Sequence, residues 1–103
     1  MILVNTDFIT GKNIHTLGLV KGSVVWSKHV GRDIMAGFKT IVGGEIKGYT
    51  EMMDEARCAA TSRMMSEAHN MNADGIINVR YVTCAVMQGM AEVIAYGTAV
   101  KFI

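Results

Sequence analysis

From Gly48 to Asn72 the apolar and small residues recur at helical spacing. At about 100° per residue, Met53, Ala56, Ala60, Met64, Ala68 and Met71 fall in one stripe, with Tyr49 at its edge. The stretch has no Pro and no interior Gly, and it is rich in Met, Ala, Glu and Arg, all good helix formers. It predicts a helix starting near Gly48–Thr50 and ending near Asn72, about six turns long. Ala56, Ala60 and Ala68 are small, so this helix can lie close to whatever it covers. Arg57 and Glu67 border the stripe, and Arg63 and Glu67 form an (i, i+4) pair of opposite sign.

The rest of the chain reads mostly as strand. Ile2–Val4 is a short strand, with polar turns at Asn5–Asp7 and Gly11–Asn13. Ile14–Ser27 is β-branched and apolar, with Gly18 and Gly22 inside it, as one bent strand or two joined at Lys21–Gly22. Interior glycines in a strand mark bulges or close backbone approach. The residues from His29 to Val42 include IMAGF, a candidate short helix stopped at Gly43–Gly44. Gly75 opens a strand, a turn follows at Gln88–Gly89, and Ala91–Ile103 returns antiparallel. The simplest packing is an α+β two-layer sandwich: one antiparallel sheet, one long helix across it, and a short helical segment. Residues 1–103 form a single domain.

The last strand is apolar on both sides. Val93, Ala95, Ala99 and Ile103 alternate with Ile94, Tyr96, Val100 and Phe102, so one helix cannot cover both. A second copy of the chain is the simplest second cover, and patterning therefore predicts a homo-oligomer.

Composition narrows the setting. Half of the 103 residues are hydrophobic and 18% are charged, which supports a core and argues against disorder. A net charge of +1 provides no basic footprint for nucleic acid and no polybasic stretch for a membrane. MILVNTDF has no positive n-region and no cleavage motif, so no signal peptide is expected. The most apolar stretch, Ala85–Ile103, is broken by Gln88, Gly89, Glu92, Gly97 and Lys101, so no transmembrane helix is expected. Cys58 and Cys84 lack CxxC spacing and read as reduced cytoplasmic thiols. Nine methionines are a high count, mostly explained by Met as a helix former and core filler.

Candidate chemistry is sparse. Cys58, Met65 and His69 lie close on the helical wheel, away from the apolar stripe, near Glu51, Glu55 and Ser62. Cys58 and His69 are separated by about 16 Å along a helix, too far to share one ion, whereas Met65 and His69 at (i, i+4) can. A full metal site must draw on other segments, such as Cys84, His15 or His29, so the ligand set stays unknown. Gly43–Gly44 before Gly48 suits either backbone anion binding or a left-handed loop. No GxGxxG or P-loop motif is present. Neither cysteine can be paired with a histidine base, so no catalytic constellation is identified and an enzyme is not expected. Trp26, Tyr49, Tyr81 and Tyr96 can stack on a flat ligand or fill a core or interface.

Four stretches carry a family likeness: GKNIHTLGLVKGSVV, RDIMAGFKTIVGGEIKGYTEMMDEAR, NADGIINVRY and AYGTAV. Together they resemble the YbjQ family, also called UPF0145, whose name carries a heavy-metal-binding label. The resemblance implies a small α+β domain with a long helix against an antiparallel sheet, assembled into homo-oligomeric rings, as pentamers. No catalytic residues carry over from it, and the cofactor stays unknown. The family's motif positions match Arg32, Asp33, Gly37, Gly43, Gly44, Tyr49, Ala56 and Arg57 here, and Cys58, Cys84 and His69 stand outside them. Arg32, Asp33, Glu45, Tyr49 and Arg57 form the candidate ligand-binding cluster at the start of the helix. The expected function is a homo-oligomeric protein binding a metal ion or small ligand at subunit boundaries. The alternative is a structural or regulatory assembly unit that binds another protein and no small molecule.

Overall fold

A computed structural model describes residues 1–27, 41–42, 45–88 and 90–103, with the side chains of residues 27 and 41–49 left aside. In chain order the elements are β1 (Ile2–Leu3), β2 (Ile14–Ser27), β3 (Ile41–Val42), β4 (Glu45–Ile46), α1 (Lys47–Asn70), β5 (Gly75–Met87) and β6 (Met90–Phe102). The main sheet has the order β1-β5-β6-β2, and β3 and β4 pair antiparallel with each other. The fold is α+β, with α1 lying across one face of the four-stranded sheet. Two expectations change. The sheet is mixed, because β1 runs parallel to β5. Ile41–Val42 is strand, and the IMAGF segment lies outside the described residues.

The core forms where small residues let the layers meet. Met52, Ala56, Ala60, Met64 and Ala68 are buried, every fourth residue along α1. Met52 is deeper than the expected Met53, which is half-buried against the same cluster. The wheel accounts for this: Met52 lies about 40° from Ala56, against about 60° for Met53. The row meets Val20 on β2, Val93, Ala95 and Ala99 on β6, and Ile76 and Val79 on β5. Gly22 allows the closest approach, since a Cβ there would stand 2.2 Å from the Ala60 oxygen and 2.4 Å from the Met64 nitrogen. β2 is a single strand, and its irregularity falls between Thr16 and Gly18.

α1 ends on a left-handed residue. Asn72 has φ 59°, the Asn72 N–H donates to the His69 carbonyl, and the Ala73 N–H donates to the Ala68 carbonyl. This pair of bonds is a Schellman motif with Asn at the position usually held by Gly. Asp74 then ties the helix exit to the end of β6: its carboxylate accepts from the Phe102 N–H at 2.8 Å and faces Lys101 Nζ at 3.8 Å.

β5 carries a bulge in which Asn78 (φ 53°) and Val79 together oppose the single residue Gly97. The Asn78 and Val79 N–H groups donate to the carbonyls of Thr6 and Val4, pinning the N-terminal segment to the sheet. That segment carries Val4 and Ile9 onto the face away from α1, where they join Ile14, Ile77, Val100 and Phe102 in a second cluster. The chain itself therefore covers one end of the face for which the sequence predicted a second copy. The other end stays open. Register puts Leu19, Val25, Val82 and Tyr96 on it, all exposed, with Ile94 half-buried between them.

Candidate functional site

α1 packs mainly on β2 and β6 and reaches β5 only slightly. An open groove therefore runs between α1 and the β5 side of the sheet. Its first part, about 590 Å³, is lined by Asp54, Arg57, Cys58, Thr61, Ser62, Met65 and Tyr81. The hydroxyls of Thr61 and Tyr81 are hydrogen-bonded at 2.8 Å across it, joining helix to strand. Thr61 Oγ1 also lies 2.7 Å from the Arg57 carbonyl. Its second part, about 440 Å³, continues past Ser62 and Met65 to Ser66, His69, Asn70 and Met1. Beyond Val79 every residue of β5 is exposed, so the groove is bordered by strand with water on both sides.

The expected cluster of Arg32, Asp33, Glu45, Tyr49 and Arg57 is only partly in view. Arg32, Asp33, Gly37, Gly43 and Gly44 lie outside the described residues. Glu45 belongs to β4 and Tyr49 to the first turn of α1, so their backbones flank the start of the helix. Arg57 lies eight residues beyond Tyr49, about 12 Å along the axis. Its guanidinium is ion-paired with Asp54 one turn back, on the wall of the groove. Arg63 donates to the Ser23 carbonyl on edge strand β2 rather than pairing with Glu67. The helix crosses β2 beside Gly22, which brings the Arg63 stem over that edge.

The thiols are apart. Cys58 is exposed in the groove, and Cys84 is exposed on β5 opposite Glu92, on the sheet face away from α1. Among the described residues no three of His, Cys, Asp and Glu come together to hold a metal ion. Met65 and His69 do share the second part of the groove, and Met1 joins them. The wheel brought Met65 and His69 together. Met1 was missed, because its place depends on the β1–β5 pairing. Of the aromatic candidates, Trp26 is half-buried beside Met52, Glu55, Ala56 and Ala59 at the other flank of the helix.

The chain belongs to the UPF0145 (YbjQ) family: a family model described as "Putative heavy-metal-binding" matches residues 1–103. It is 63% identical over 103 residues to a UPF0145 protein of Clostridium novyi, and the match covers all of both chains. A UPF0145 protein of Alkaliphilus metalliredigens is 59% identical over 103 residues, again covering all of both. One from Thermotoga maritima is 55% identical over 102 residues, 98% of this chain and 96% of that one. The fold is shared with a crystal structure from Pediococcus pentosaceus, a protein of unknown function in the DUF74 family. That match has a TM-score of 0.70 at 18% identity and covers 100% of this chain and 98% of the other. Among the described residues no helix is long and apolar enough to cross a membrane.

Proposed function

We propose that this protein is a self-assembling binding protein: a homo-oligomer, five copies in a ring, holding a metal ion or small ligand at its subunit boundaries. The observation that carries the reading is the open half of the sheet. Leu19, Val25, Val82 and Tyr96 face water there, and Val86 and Met87 at the hairpin tip are 54% and 61% exposed. Register interleaves these apolar side chains with Lys21, Ser23, Arg80 and Glu92, and exposed apolar surface bordered by polar residues favours an interaction surface. The number five rests on the family resemblance. The groove beside α1 is bordered by the same exposed strand, so a copy seated on the hairpin would wall it in and create a boundary site. Arg57 and Tyr81 line that groove, and Arg32, Asp33, Glu45 and Tyr49 stay as the further ligand-binding candidates named from the sequence. Two free, exposed thiols support a reducing, cytoplasmic setting.

Native mass spectrometry on untagged protein purified without chelators tests this. The expected result is a five-copy assembly carrying extra mass per subunit. A monomer at micromolar concentration would sink the reading. A bare ring that takes up neither ligand nor metal would favour a structural or regulatory unit that binds another protein, a role the same apolar face supports.

A further inference from the structure

We infer that the second part of the groove is a site for a soft monovalent cation, Cu(I) or Ag(I), held by the Met65 and Met1 thioethers and the His69 imidazole. The inference deepens the proposed binding function and rests on it. The donor set leads to this choice. The groove is lined by Met1, Ser62, Met65, Ser66, His69 and Asn70, with no carboxylate and no thiolate among them. Hard cations are held by several oxygens and favour charged carboxylates, whereas thioether and imidazole suit Cu(I).

The fold places each donor for a physical reason. Met65 and His69 are one turn apart on α1, so their side chains lie one above the other on the same flank. Met65 is half-buried against the main core, which fixes its stem beside the groove. Met1 comes from the far end of the chain. The Ile2 N–H donates to the Asp74 carbonyl, and Ile2 pairs with Gly75, setting the first residue beside the last turn of the helix. That last turn is also where the helix carries partial negative charge, which favours a bound cation. His69 is its only basic residue.

The test is Ag(I) titration of the full chain in chloride-free buffer, with Cys58→Ser and Cys84→Ser in place to remove the competing thiols. The probe is the metal alone. Stoichiometry is read by native mass spectrometry, and 13C-methyl NMR reports on the methionines. One Ag(I) per chain is expected, with the methyl signals of Met65 and Met1 shifting while buried Met52 and Met64 stay. Met65→Leu, which conserves volume, and His69→Gln should each weaken binding at least tenfold. Absence of Ag(I) binding, or binding that leaves the Met65 and Met1 methyls unmoved, overturns the assignment. If silver is ignored while the oligomer retains another metal or an organic ligand, this site falls and the binding function stands. If the assembly holds no ligand of any kind, both fall.

Discussion

Gly22 on β2 and Ala60 on α1 meet backbone to backbone, with no room between them for a single methyl group. A Cβ on Gly22 would sit 2.2 Å from the Ala60 oxygen, and neither helix nor strand can yield locally as a flexible side-chain tip would. Gly22→Ala should therefore cost stability near the top of the range of about 1–3 kcal/mol usual for overpacking. Urea denaturation at fixed protein concentration would show it as a lower midpoint. An unchanged midpoint would mean that the helix does not rest on this strand.

Asn72 tests the helix exit. Its φ of 59° suits Gly and Asn, and a β-branched side chain there is strained. Asn72→Gly should hold stability close to the parent, and Asn72→Val should lose about 1–2 kcal/mol relative to Gly. Thermal unfolding of the pair would reveal the difference. Equal midpoints would argue against the left-handed cap.

Thr61 and Tyr81 join the two walls of the groove through one hydrogen bond. Thr61→Ala, Tyr81→Phe and the double variant form a cycle whose coupling should be about 0.5–1.5 kcal/mol. Additive single effects would show that the hydroxyls do not meet in solution.

The open sheet face predicts assembly. Leu19→Asp and Val82→Asp put charge on that face without touching either buried cluster. Each should shift the oligomer toward smaller species in sedimentation velocity while far-UV circular dichroism stays unchanged. An unaltered distribution for both variants would move the subunit interface elsewhere.

Much of the fold was legible because its cues are local. The period of α1, the turn before β6 and the strand character of β2 each depend on residues close in sequence, and all were found within a few positions. Gly18 and Gly22 were read as a bulge or a close approach, and each now has one of those roles: Gly18 flanks the irregularity of β2, and Gly22 lies under the helix. The misses are non-local. Nothing in IleLeu says that β1 will pair parallel to a strand more than seventy residues away. Nothing in Val4 or Ile9 says that they will cover the back of β6. The site was less legible for the same reason. Met65 and His69 announce each other by helical spacing, whereas Met1 reaches them only through the sheet. The Arg57–Asp54 pair is local, whereas the sequence places the expected partners of Arg57 at the start of the helix.

The bulge at Asn78 makes one residue of β5 supernumerary in the alternation of the sheet. Ile76, Val79 and Tyr81 face the helix, while Ile77, Arg80 and Val82 face away, so the two-residue rhythm resumes as though Asn78 were not counted. Loss of Asn78 would leave both sides of the strand in phase, whereas loss of one of the regularly paired residues from Arg80 to Ala85 would turn part of the hairpin inside out. What Asn78 secures lies elsewhere: its N–H anchors Thr6, and with it the strap that shields Ile77 and Val100. An irregularity in one strand thus acts as the fastening point for the other end of the chain.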